Sequence, residues 1–208
     1  MNIFKFLLID AALVIAAIPI LFLLQGGKKK YPLLAGFSKE RLLSKTSFKL
    51  PDKEKLIELE KLAKNQGSGI TFDSLIGNWK FISVWKKNID EEDMIFSLLL
   101  RIFAANIEFK KKIPIEHSPE FSVITSIQLG AFTMEFSGSG YLKGEQPLLT
   151  FFLNLVEFKS GSKKLLSRSL DEKDENEKSF FSLITLEEKG ECLTARGKGG
   201  SLVIWMKD

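Results

Sequence analysis

The stretch that decides the fold is residues 75–85, which read LIGNWKFISVW. Its aromatic and β-branched residues, alternating with polar ones after Gly77, predict a β-strand. Further segments of this kind follow, separated by glycine-containing turns, at residues 121–129, 131–137, 148–158, 180–186, 192–196 and 201–206. Many short strands with regular turns are typical of an antiparallel sandwich or barrel. The sequence therefore predicts a mainly β domain.

Two helices are predicted beside these strands. Residues 52–66 begin at Asp52, a suitable N-cap, and carry an apolar face of Leu56, Leu59, Leu62 and Ala63. This narrow face and the mixed charges opposite favour packing on the domain over lying at a membrane surface. Residues 94–105 follow four carboxylates and are apolar around most of the circumference. Such a helix is usually buried, and here it is suited to plug the mouth of the barrel or cover a ligand entrance.

The N-terminus carries an apolar run at residues 6–24, long enough to span a bilayer and long for a cleaved signal peptide. A lysine cluster, Lys28, Lys29 and Lys30, follows it. By the positive-inside rule this cluster places the following domain on the cytoplasmic or stromal side. We therefore expect a single-pass transmembrane anchor over residues 1–27, a basic juxtamembrane linker over 28–50 and a globular domain over 51–208.

The distribution of charge argues against a nucleic-acid partner. The chain carries a net charge of +4, yet residues 28–66 hold 11 Lys or Arg against 5 Asp or Glu, whereas residues 67–208 hold 18 against 20. The basic excess therefore flanks the apolar run, where it suits Lys28, Lys29 and Lys30 to contact anionic lipid headgroups. The single cysteine, Cys192, permits no internal disulfide and favours a reducing compartment.

Signals of enzymatic chemistry are few. His117 is the only histidine and Cys192 the only cysteine, so no zinc-ligand cluster is recognisable. Glu135 and Glu157 fall in predicted strands, where we expect them to point outward. The stretch from Gly138 to Gly144 has the wrong spacing for a phosphate loop and is interpreted as a β-hairpin turn. The sequence thus predicts no enzyme, no metal and no cofactor.

One constellation carries a resemblance to known proteins. Gly77 and Trp79 open the first strand, and Arg196 lies in a late strand. In lipocalin-like barrels a Gly-x-Trp opens the first strand, and a late arginine covers the indole in a cation–π contact that closes the barrel end. The segments IGNWKF (residues 76–81) and TARGKGGSLVIW (194–205) further resemble the plastid-lipid-associated proteins, or fibrillins, of plastids and cyanobacteria.

The resemblance implies a lipocalin-like antiparallel β-barrel at a thylakoid membrane that binds an isoprenoid or other lipid without enzymatic activity. The chain departs from the family in three ways. It lacks the family's Thr-Asn-Arg-Gly loop, its insert at residues 162–178 is particular to this chain, and a transmembrane anchor is not general in the family. A barrel of eight strands has room for one small ligand such as a carotenoid, quinone or acyl chain. Candidate residues for an apolar cavity are Trp85, Phe121, Phe132, Met134, Phe136, Tyr141, Phe151 and Trp205.

Two other functions remain open from the sequence. The first is a structural subunit or assembly factor of a thylakoid membrane protein complex, in which the same aromatic side chains fill the core and no ligand binds. The second is a barrel enzyme acting on a lipid or tetrapyrrole, with a carboxylate such as Glu135 facing the interior.

Overall fold

The computed structural model describes residues 52–87, 91–111, 121–145, 147–171, 178–187 and 191–208. The helices in these ranges are α1 (Lys53–Gln66), α2 (Phe72–Leu75) and α3 (Met94–Ile102). The strands are β1 (Gly77–Trp85), β2 (Asn106–Lys111), β3 (Phe121–Leu129), β4 (Phe132–Lys143), β5 (Leu148–Ser160), β6 (Lys163–Ser169), β7 (Ser179–Leu186), β8 (Cys192–Gly197) and β9 (Leu202–Lys207).

These strands form one antiparallel sheet that closes into a ring. Its order is β4-β3-β2-β1-β9-β8-β7-β5-β6, and β4 also pairs with β5, which joins the two ends. The ring itself passes from β5 directly to β7, which pairs with the first residues of β5. Strand β6 pairs with the last residues of β5 and lies outside the ring. The prediction of a mainly β, antiparallel, barrel-like domain is confirmed.

The glycines of β4 differ from their predicted role. Gly138 and Gly140 lie inside a continuous strand, so the predicted hairpin turn is wrong for them, whereas Gly144 does lie in the turn between β4 and β5. A Cβ at Gly140 would lie 2.8 Å from the ring of Phe121, and one at Gly138 would lie 1.9 Å from the carbonyl oxygen of Phe152. The glycines therefore let β4 approach the core and β5 closely. Strands β2 and β6 were not predicted, because both are rich in charged residues.

Helix α1 packs against the outside of the ring at β7. The sequence predicted a helix over residues 52–66 that packs on the domain, and both parts of this prediction agree with the structure. Its buried side chains are Leu56, Glu60 and Ala63, whereas Leu62 is 44% exposed. The expected apolar face is therefore shifted, and it includes a glutamate. Glu60 is tolerated there because Arg196 of β8 pairs with it.

Helix α3 extends the wall of the ring beyond the first residue of β2. The amide of Val84 donates to Ser97 Oγ at 2.9 Å, and the amide of Asp93 donates to the Val84 carbonyl at 2.8 Å. On the other side the amide of Gln128 in β3 donates to the carbonyl of Phe103 at 2.7 Å. The helix thus occupies the gap between β1 and β3. Ser97 is its one buried residue, so the prediction of a buried helix is wrong.

None of the helices in the described ranges is long and apolar enough to cross a membrane. The predicted anchor at residues 1–27 and the linker at 28–50, with Lys28, Lys29 and Lys30, lie outside these ranges.

Candidate ligand site inside the closed sheet

The end of the ring where β1 begins is sealed by local structure. Helix α2 ends just before β1 and positions Leu75, whose carbonyl accepts a hydrogen bond from Trp79 Nε1 at 2.7 Å. Phe72 of the same helix stacks on Phe121 with ring centroids 4.9 Å apart. Leu75 and Trp79 are completely buried. This end therefore carries a packed aromatic layer with its polar group satisfied.

The cation over the Trp79 indole is Lys207, not Arg196. The ammonium of Lys207 lies 5.2 Å from the ring centroid, because Lys207 pairs with Trp79 across β9 and β1. Arg196 neighbours the core residue Ala195, so it projects from the opposite, outer face of β8. There it binds Glu60, with Nε 2.8 Å from Oε1 and Nη2 2.6 Å from Oε2. The prediction that Arg196 contacts the Trp79 indole is therefore wrong.

Farther along the interior the aromatic residues form a connected series. Trp205 contacts Phe81 with ring centroids 5.2 Å apart and Phe181 in an edge-on geometry at 5.1 Å. Phe181 in turn stacks on Phe151 at 5.4 Å. Such contacts stabilise aromatic pairs by about 0.5–1.5 kcal/mol beyond area burial. The middle of the ring is thus lined by aromatic faces from β1, β5, β7 and β9.

The opposite end of the interior is less covered. Four apolar side chains pack on the core there while remaining only partly buried, namely Phe81, Leu100, Leu153 and Phe181. We call these four residues the mouth. Leu100 belongs to α3, so that helix forms part of the rim. The core cluster in the described ranges supplies apolar residues to the interior, and the Lys207 ammonium lies over the Trp79 ring at the sealed end. The interior is therefore apolar, sealed at one end and partly accessible at the mouth.

One polar atom inside this apolar region lacks a partner. Trp205 is 1% exposed, and its Nε1 has no hydrogen-bond acceptor among the described residues. An unsatisfied buried donor costs about 1–3 kcal/mol.

The structure brings together three of the eight predicted cavity residues in the core cluster, namely Phe121, Phe151 and Trp205. Phe132, Met134 and Phe136 continue the same face of β4 farther out, where Phe132 is 42% exposed and stacks on Phe158 at 5.3 Å. Trp85 and Tyr141 alternate away from the interior, so the expectation that they line it is wrong.

These two errors have different causes. A β-bulge between Phe81 and Ser83 reverses the alternation of β1, which puts Trp85 on the outer face with its Nε1 donating to Ser83 Oγ at 3.0 Å. The bulge leaves no sign in the sequence. Tyr141, however, stands one residue after the inward-facing Gly140, so strict alternation from Phe136 already assigned it to the outer face.

Sequence reasoning missed the mouth residues. Phe81 and Phe181 were recognised only as members of strands, and Leu100 and Leu153 were not separated from other leucines. Alternation from Trp79 would have placed Phe81 inward, since both precede the bulge. For Leu100 and Leu153 the positions depend on how α3 and β5 pack, for which the sequence offers no local signal.

The two carboxylates considered for catalysis lie on the outer face. Glu135 and Glu157 are cross-strand neighbours, and Lys159 Nζ lies 2.8 Å from Glu135 Oε1 and 3.0 Å from Glu157 Oε2. Lys164 also binds Glu157. Hydrogen bonds from Lys164 and Lys159 lower the pKa of Glu157 to about 2. Both carboxylates therefore serve an ion-pair network and supply no acid to the interior.

Other candidate residues contribute no reactive centre to the part of the chain that is described. His117 lies outside it. Cys192 is buried, and that burial, with the nearby charge of Glu187, raises its thiol pKa to about 12. No group of three metal-ligating side chains occurs among the described residues.

The outer surface of α3 is unusually apolar for a helix in contact with solvent. Met94, Ile95, Phe96 and Ile102 are between 43% and 61% exposed. Four of the nine residues of this helix are thus large, apolar and exposed, and exposed apolar surface is a feature of contact surfaces.

The chain matches no model of a protein family, and no curated protein matches it. The resemblance to the plastid-lipid-associated proteins therefore depends on the two sequence motifs.

Proposed function

We propose that this protein is a non-enzymatic, membrane-anchored, lipocalin-like protein that binds one apolar molecule inside its closed sheet at a photosynthetic membrane. The observation that carries the proposal is the asymmetry of the interior. Trp79 and α2 seal one end, whereas apolar side chains at the mouth remain partly exposed. Phe72 of α2 is also only partly buried, but at its end of the ring it stacks on the buried Phe121.

The chemistry of the interior supports a ligand such as an isoprenoid, carotenoid, quinone or acyl lipid. Small-molecule sites are mostly apolar with a few placed polar groups, and a ring of eight strands is wide enough either to be filled by side chains or to hold about one small ligand. The mouth combines two phenylalanines with two leucines. Aromatic faces suit conjugated rings and polyene chains, and leucines suit acyl chains.

The N-terminal segment places such a site next to its ligand. An anchor at residues 1–27 keeps the domain at the bilayer, and Lys28, Lys29 and Lys30 hold the linker against anionic headgroups on the cytoplasmic or stromal side. Apolar ligands dissolve in the bilayer, so a tethered site meets them at high local concentration.

The test is the ligand content of the purified full-length protein. After extraction in a mild detergent, organic extracts are analysed by absorbance and mass spectrometry. We expect an isoprenoid or lipid at close to one per chain. Leu153→Glu puts a charge at the mouth, so this variant should purify without the bound molecule. Ile95→Glu on the outer face of α3 should purify with the molecule still bound. An unaltered chain that purifies without any such molecule would refute the proposal.

The exposed face of α3 favours a second candidate, a structural subunit or assembly factor of a thylakoid membrane protein complex. Partner proteins commonly cover apolar patches of this kind. Native electrophoresis of solubilised membranes separates the two functions. Co-migration with a larger complex that Ile95→Glu abolishes, without bound ligand, supports the structural role, and migration as a single chain opposes it.

A further inference from the structure

The three tryptophans of the chain differ in how their indole N–H groups are satisfied. Trp79 Nε1 donates to the Leu75 carbonyl at 2.7 Å, and Trp85 Nε1 donates to Ser83 Oγ at 3.0 Å. Trp205 Nε1 is buried without an acceptor among the described residues. Buried indole N–H groups usually have a partner, so Trp205 is the exception that calls for one.

In the described part of the chain, the surroundings of Trp205 provide no acceptor for its indole N–H. Its cross-strand neighbours are Phe81 and Leu193, and its ring contacts are Phe81 and Phe181. All three neighbours are apolar. A buried water usually makes two to four hydrogen bonds, and one donor in an apolar surround does not supply them. A ligand atom that accepts a single hydrogen bond fits this position better.

The position of Trp205 also suits contact with a ligand. Phe81 and Phe181, which lie against its ring, are two of the four mouth residues and are only partly buried. Trp205 thus contacts two mouth residues and is itself only 1% exposed. A molecule that enters past these two phenylalanines meets the indole next.

We propose that Trp205 Nε1 donates a hydrogen bond to a carbonyl oxygen of the bound ligand. This inference depends on the proposed function and narrows it. The preferred ligand is an apolar molecule with a carbonyl group, such as a quinone or keto-isoprenoid, and a pure hydrocarbon of the same shape binds more weakly. The contribution of one hydrogen bond corresponds to a difference in affinity of about 2- to 12-fold.

The test compares two matched probes, 2-decyl-1,4-naphthoquinone and 2-decylnaphthalene, which share a tail and fused rings and differ in the carbonyl groups. The full-length chain is delipidated in detergent, and binding is measured by competition against a fluorescent polyene fatty acid. The partitioning of each probe into detergent micelles is measured separately, and each apparent affinity is corrected for it. We expect the quinone to bind about 2- to 12-fold more tightly.

A second readout identifies the donor. In a ¹⁵N–¹H correlation spectrum the three indole N–H groups produce three resonances, and Trp205→Phe assigns one by its loss. We expect the quinone to move the Trp205 resonance downfield more than those of Trp79 and Trp85, and the hydrocarbon to produce no such shift. In Trp205→Phe the two probes should bind equally. The comparison on the unaltered chain stands even if this variant does not fold.

The outcomes separate the two claims. A tighter quinone with a selective shift of the Trp205 resonance supports the hydrogen bond. Equal binding of both probes without that shift overturns the inference and leaves the proposed function intact. Failure of both probes to compete, together with an unaltered chain that purifies without ligand, overturns the proposed function and the inference with it.

Discussion

Removing the guanidinium of Arg196 should weaken the packing of helix α1 on the sheet. Arg196 holds Glu60 with two hydrogen bonds of 2.8 and 2.6 Å, and Glu60 is only 7% exposed. Breaking a buried ion pair costs about 3–5 kcal/mol, and a hydrogen bond to a charged group contributes about 1.5–3 kcal/mol. Lys64 Nζ lies 3.0 Å from Glu60 Oε1 and still neutralises the carboxylate. We therefore expect Arg196→Ala to lower the free energy of unfolding by about 2–3 kcal/mol.

The assay is urea unfolding of the detergent-solubilised chain, followed by circular dichroism, for Arg196→Ala, Glu60→Gln and the double variant. Two residues in direct contact should show a coupling energy above about 1 kcal/mol. Lys207→Met is the matched control, since it removes the cation over Trp79. It should change the tryptophan emission of the folded protein, whereas Arg196→Ala should not.

Two results would refute this reasoning. A coupling energy under about 0.5 kcal/mol would mean that Arg196 and Glu60 act independently. A change in tryptophan emission with Arg196→Ala but not with Lys207→Met would restore the arginine–indole contact that the sequence motif predicted.

Three further predictions concern the sheet. Gly140→Ala should lower the free energy of unfolding by about 1–3 kcal/mol, because the added Cβ overpacks against Phe121. Gly199→Ala is the control, since no atom lies within 4 Å of its added Cβ, and it should change the free energy of unfolding by less than about 0.5 kcal/mol. Thermal unfolding of the two variants compares these effects. The folded-state pKa of Glu157, about 2, lies below its ordinary value of 4.5, so its contribution to stability is present above pH 4.5 and is lost as the pH falls toward 2. Urea midpoints across that range should fall less steeply in Glu157→Gln, and parallel profiles would contradict this. The Cys192 thiol should react with iodoacetamide only after unfolding, because it is buried and its pKa is raised to about 12; rapid labelling of the native chain would show that it is accessible.

The sequence by itself determined the class of the domain and most of its strands. Alternation in the stretches of β1, β3, β5, β7, β8 and β9 is strong because one face of each strand packs on the core and the other does not. Helix α1 was also predictable to within one residue, since Asp52 and Gly67 bound it. These features depend on neighbours along the chain, which the sequence contains directly.

Only the tertiary structure decided which side chains share the interior and which charges pair. The bulge after Phe81 turned Trp85 outward, and the register of β9 put Lys207, not Arg196, over Trp79. Glu60 became a buried residue because β8 delivered an arginine to it from 136 positions away. The unpaired indole of Trp205, on which the proposed ligand chemistry depends, is likewise invisible in the sequence. Each of these depends on contacts between strands distant in the chain, where a shift of one residue exchanges the inner and outer faces.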